Sequence, residues 1–171
     1  MTRVFHARRI FLMLNLTKEV EEALRPVKGA LYITVGNNIR ADDGVGPYVY
    51  SGIKDVSGIT AVDAGGRPEN IIFQCENVKP SKIIIIDAAN FNGRPGEVRV
   101  IDADKINLCV MSTHTFPLAA VAKLLEQDTG VKVLFIGIQP ANAVISEKLS
   151  PEVEQSADKI IECIVKAGSR L

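Results

Sequence analysis

Lys82-Ile83-Ile84-Ile85-Ile86-Asp87 sets four consecutive isoleucines directly before a carboxylate. An extended run that is apolar at every position has no polar side to turn to water, so it reads as a central strand covered on both faces. A carboxylate at the tip of such a strand is desolvated on one side. It needs a metal, a base or a cluster of backbone N–H groups to stay there. On the N-terminal side, residues 30–35 and 59–62 are short apolar runs. They end in Gly36-Asn37-Asn38 and in Asp63-Ala64-Gly65-Gly66-Arg67, as buried strands ending in loops do. Helices fit between them: residues 16–27, with Leu16, Val20 and Leu24 at helical spacing and Thr17 as cap, residues 47–53, and a third beginning near Pro68.

On the C-terminal side, Asn92-Gly93-Arg94-Pro95-Gly96 predicts a hairpin-like excursion into an edge strand over residues 97–101. After a loop over 102–114 come a helix over 115–127 and a strand over 131–138. The last helix opens at Ser150-Pro151-Glu152 and runs to about residue 167. This alternation predicts an α/β fold: a three-layer, doubly wound, mainly parallel sheet with helices on both faces and one antiparallel edge strand. Ligands of such sheets sit beyond the C-terminal strand ends, where the strand order reverses. In a flavodoxin-like order that point lies between the first strand and the isoleucine strand.

At 171 residues the chain is long enough for one well-buried core and short for two. Residues 1–15 are expected to be a loose N-terminal extension of a single domain over 16–171, and translation can begin at Met13. With 47% apolar and 23% charged residues the chain has globular composition. Its formal net charge of zero lacks the basic excess of a nucleic-acid binder. Cys75, Cys109 and Cys163 are odd in number and widely spaced. They predict buried thiols in a reducing, cytoplasmic compartment rather than a disulfide framework or a zinc knuckle. The apolar stretch Ile10-Phe11-Leu12-Met13-Leu14 is broken by Asn15 and followed by acidic residues without a small-residue cleavage site, so neither export nor membrane insertion is expected.

Three polar groups fall where this architecture places function: Asp42-Asp43 after the first strand, Asp87, and His114 before a helix. Gly44 and Gly46 allow the backbone to bend closely around whatever the first pair holds. Two carboxylates and an imidazole suit nickel, zinc or ferrous iron and leave coordination positions open. A serine triad is less well supported, since Ser112 and Thr113 can be helix caps. Dinucleotide and P-loop fingerprints are absent. Each residue also has a plainer reading: Asp42-Asp43 as a turn or cap, Asp63 as a cap for the helix near Pro68, His114 as a structural histidine, and Arg40 as cover for apolar surface.

Four ordered segments carry a resemblance. Gly36-Asn37-Asn38-Ile39-Arg40-Ala41-Asp42-Asp43-Gly44-Val45-Gly46 resembles the opening motif of the nickel-iron hydrogenase maturation endopeptidases, and residues 62–70 resemble their second motif. Ile86-Asp87-Ala88-Ala89 resembles the third and Ser112-Thr113-His114-Thr115-Phe116-Pro117-Leu118 the fourth, nearest the branch serving formate-hydrogenlyase and energy-converting hydrogenases. The resemblance implies a peptide hydrolase that removes the C-terminal extension of a nickel-loaded hydrogenase large-subunit precursor. It implies metal ligation by Asp43, Asp87 and His114, with Asp42 a supporting or capping acid and Asp63 a further acid of the site. The nickel is carried by the substrate as a recognition handle, and zinc or cadmium could take the site in a crystal. Two other classes remain: a non-catalytic nickel-sensing chaperone with the same trio, and a nucleotide or small-molecule enzyme on the same fold.

Overall fold

A computed structural model describes residues 15–75, 77–101, 106 and 117–171. In chain order these hold α1 (Lys18–Leu24), β1 (Ala30–Thr34), a 3-10 turn (Ala41–Gly44), α2 (Val45–Ile53), β2 (Ile59–Asp63) and α3 (Asn70–Cys75). There follow β3 (Lys82–Ala88), β4 (Val98–Ile101), α4 (Leu118–Thr129), β5 (Val133–Ile138) and α5 (Pro151–Gly168). The expected extension, apart from Asn15, and the expected loop over 102–114, apart from Ile106, lie outside the described residues.

The sheet order is β2-β1-β3-β5-β4. All pairings are parallel except β4 with β5. The isoleucine strand is central, as its composition predicts, and Ile83 to Ile86 are fully buried. Alternate residues feed two cores. Tyr32, Ile84, Ile86 and Ile136 pack with Val20, Leu24, Val49, Ile53, Ala157 and Ile160 of α1, α2 and α5. Leu31, Ile33, Ile83, Ile85 and Phe135 pack with Ile71, Val121 and Leu125 of α3 and α4. Helices therefore cover both faces, in three layers.

The expected hairpin is displaced. After the turn at residues 92–96 the chain does not fold back on β3 but crosses to the far side of β5, where Val98 pairs with Ile138 and Ile101 with Phe135. β5 takes the place beside β3, with Ile83 opposite Val133 and Asp87 opposite Gly137. That keeps the most apolar strand between two parallel neighbours and leaves the less buried β4, with Arg99 exposed, at the edge.

Element boundaries follow caps. Thr17 Oγ1 accepts the Val20 N–H at 3.3 Å, and α1 stops at Leu24 because Pro26 holds Arg25 at ψ 119°. The Tyr32 hydroxyl donates to Leu24 O at 2.6 Å and Lys82 Nζ to Arg25 O at 2.9 Å, satisfying carbonyls of the last turn. Pro151 opens α5 at its first turn, with Ser150 as N-cap.

Gly46 has a different role from the expected one. A Cβ there would lie 1.9 Å from the Val35 carbonyl oxygen, so the glycine serves the approach of α2 to the end of β1 rather than curvature around a carboxylate. Gly46→Ala is expected to lower stability by about 2–3 kcal/mol through overpacking against backbone, read as a lower urea midpoint at unchanged slope. A midpoint equal to that of the wild type would mean that α2 can withdraw without loss.

Candidate functional site

Beyond β1 the chain makes a tight return. Val35 N–H donates to Ile86 O at 3.0 Å and Gly36 N–H to Gly65 O at 2.9 Å, joining the ends of β1, β2 and β3 at one rim. Asn37 N–H then donates to Asp43 O at 2.9 Å and Asp43 N–H to Arg40 O at 3.1 Å, closing the loop on the 3-10 turn. Gly36 is required for this closure. Its φ is +145°, and a Cβ would fall 2.0 Å from Asp43 O. Asp43 is thus carried to the end of β1 and is 3% exposed.

Asp87 lies within β3, not beyond it, and is 1% exposed. Strand alternation turns its side chain to the same face as Ile83 and Ile85, and Oδ1 accepts the Ala88 N–H at 2.7 Å. Opposite it stands Gly137, which adds no side chain. The 3-10 turn of Asp43 packs against β3. Asp43 and Asp87 therefore meet the same junction of β1 and β3, where the strand order reverses. Burial disfavours an ionised carboxylate unless a donor or a cation compensates it, and the chemistry of two such groups on one rim is compatible with a cation. His114 lies outside the described residues. Among the described residues no three His, Cys, Asp or Glu side chains converge as a metal cluster.

Asp63 sits on the same rim one strand further out, opposite Thr34. Its Oδ1 accepts the Thr34 hydroxyl at 3.0 Å and the Gly65 N–H at 3.1 Å. It therefore caps the turn that leaves β2 rather than the helix near Pro68, which starts only at Asn70. By alternation it follows Ile59 and Ala61 toward the α2 side, the face opposite that of Asp87. A cleft of about 500 Å³ opens between residues 36–38 and 63–67, bordered by Asp63, Arg67 and Asn70.

Asp42, read from the sequence as a supporting or capping acid, is fully buried and held by four hydrogen bonds. Oδ2 accepts the Ala141 and Asn142 N–H groups at 2.8 and 3.0 Å and the Ser150 hydroxyl at 2.8 Å; Oδ1 accepts the Ser150 N–H at 2.6 Å. It fastens the Asp43 turn to the segment between β5 and α5 and lies at the amino end of α5, where negative charge is favoured. Ala41 beside it takes φ +47° and donates its N–H to Ser146 O at 2.6 Å. Burial pushes Cys75 and Cys163 upward from the ordinary thiol range, which disfavours the thiolate.

The fold and rim define a class: doubly wound α/β proteins with buried acids at the strand switch point and a cleft on the same rim. Within that class the chain belongs to the hydrogenase maturation proteases, a family of endopeptidases: the pattern described as "HycI: Hydrogenase maturation protease" matches residues 50–167. The hydrogenase 3 maturation protease of Escherichia coli K12 is 36% identical over 111 residues, 63% of this chain and 70% of that protein. A Methanocaldococcus jannaschii protein named for the same activity is 30% identical over 155 residues, covering 85% of this chain and 91% of the relative. The crystal structure of a [NiFe] hydrogenase maturation protease HycI from Thermococcus kodakarensis superposes with TM-score 0.77 at 26% identity, over 88% of this chain and 98% of that one. The solution structure of the endopeptidase HycI from Escherichia coli gives TM-score 0.70 at 29% identity, over 78% and 86%.

Proposed function

We propose that this endopeptidase removes the C-terminal extension of a [NiFe]-hydrogenase large-subunit precursor that already carries nickel, in the branch serving formate-hydrogenlyase and energy-converting hydrogenases. The observation that carries the reading is the pair of buried carboxylates, Asp43 and Asp87, on one rim of a protein of this family. Asp43, Asp87 and His114 are the groups that would complete the coordination of the substrate's nickel. Oxygen and nitrogen donors of this kind suit that ion. Binding through the ion would place the scissile bond against the rim, so that precursor without nickel is held in no productive geometry. Asp63 borders the cleft and in this reading would meet the peptide or a water beside it. The free thiols of Cys75 and Cys163 support a reducing, cytoplasmic setting. We take residues 16–171 as the single domain that carries the activity.

The test is to mix the purified protein with nickel-loaded and with nickel-free precursor and to follow loss of the tail by mass spectrometry. Processing of the loaded form alone is the expected result. Equal processing of both forms would rule out metal-gated recognition, and an intact tail in both, despite binding, would favour a chaperone.

A further inference from the structure

We propose that Ile10-Phe11-Leu12-Met13-Leu14 fills the groove between α1, β4 and the start of α5, so that the chain covers its own edge strand. The groove encloses about 720 Å³. Leu16, Pro95, Val98 and Val100 are its apolar lining, joined by Glu19 of α1 and Glu152 of α5. Val98 and Val100 belong to the same core as Leu16, on the face of the sheet opposite that of Asp87. Among the described residues β4 pairs with β5 alone, so the N–H and C=O groups of its outer side have no strand neighbour there. An open strand edge beside an apolar groove is a place where a further segment of chain can lie.

The occupant follows from where the chain enters. Asn15 and Leu16 line the groove themselves, and Lys159 Nζ donates to Asn15 Oδ1 at 3.2 Å, which ties the entry point to α5. Whatever precedes Asn15 therefore leaves from the wall of the groove. Five extended residues reach about 17 Å, more than the length of the four-residue β4, about 13 Å. A tether this short raises the effective concentration of the segment into the millimolar range, ahead of any free partner. Residues 10–14 are apolar at all five positions, a run that water disfavours and that the endopeptidase reading leaves unused. The charges complement it as well. Glu97 is engaged by Arg99 and by the Arg94 N–H, whereas Glu19 and Glu152 make no ion pair among the described residues. Arg8-Arg9, directly ahead of the apolar run, supply the cations for them.

The test follows hydrogen exchange by mass spectrometry in the full chain and in its Ile10→Ser/Leu12→Ser variant. Residues 98–101 should exchange at least about tenfold faster in the variant, and the melting temperature should fall by about 5–10 °C, because β4 loses apolar cover. Peptides of β1 and β3 should stay protected over the same interval, which separates an opened groove from a misfolded chain. Arg8→Glu/Arg9→Glu should speed exchange of residues 98–101 about threefold, and Glu19→Arg/Glu152→Arg added to that chain should restore it. Wild-type exchange of residues 98–101 in Ile10→Ser/Leu12→Ser would overturn the proposal. So would protection of β4 that disappears on dilution together with a dimer seen by sedimentation, which would give the groove to a second copy of this chain. Protection that is the same at every protein concentration is the expected result.

Discussion

Asp87→Asn is expected to slow processing of nickel-loaded precursor by about 10²–10³-fold while leaving stability within about 1 kcal/mol of the wild type. Asparagine has the shape of aspartate and keeps an oxygen for the Ala88 N–H, so the local strand has no reason to shift. What disappears is a negative charge held at 1% exposure inside an isoleucine-lined strand. The substitution keeps the volume of the side chain and its bond to the Ala88 N–H, so its effect falls on the chemistry of the carboxylate rather than on the packing of the strand. An isosteric replacement that keeps packing should therefore separate activity from stability. Rates of tail release and thermal melts on the same preparation check both halves. Wild-type processing by Asp87→Asn would remove Asp87 from the site, and a large loss of stability would make the carboxylate structural.

The strands were legible because their burial is written locally. Ile83 to Ile86 need no partner to be identified as a two-sided strand, and the alternation of runs and turns yields a doubly wound sheet with little ambiguity. The place of β4 was not legible, because which edge an antiparallel strand joins depends on β5, more than thirty residues later. The rim shows the same division. The Asp42-Asp43 pair and Asp87 stand out by their position at strand ends, the choice of Asp43 over Asp42 rests on the family resemblance, and the structure carries Asp43 and Asp87 to the β1–β3 junction. The plainer reading of Asp63, a cap for the helix near Pro68, does not hold, because Thr34 on the neighbouring strand and the Gly65 N–H donate to its carboxylate instead. The positive φ of Ala41 carries no mark in the sequence either, since alanine does not favour it. It is compensated by the hydrogen bond to the Ser146 carbonyl, distant in sequence and adjacent in space.

Asp42→Ala is expected to destabilise the fold by about 3–5 kcal/mol, lowering the melting temperature by about 10 °C. Three backbone N–H groups and one hydroxyl, from Ala141, Asn142 and Ser150, converge on this fully buried carboxylate across 99 to 108 positions of sequence. Alanine would leave those donors facing a cavity, and hydrogen bonds to an ionised acceptor are among the stronger ones in proteins. The loss should reach two places at once. The amino end of α5 would lose an anion near its first turn, and the Asp43 turn would lose its tie to the loop of Ser146. Asp42→Asn retains an acceptor oxygen but sets an amide N–H₂ against donors, so it should fall between the wild type and the alanine variant. Urea melts of the three proteins give the order directly. If Asp42→Ala unfolds within about 1 kcal/mol of the wild type, the clamp contributes no more than an exposed hydrogen bond would. The rigidity ascribed to the Asp43 turn would then have to come from backbone contacts alone.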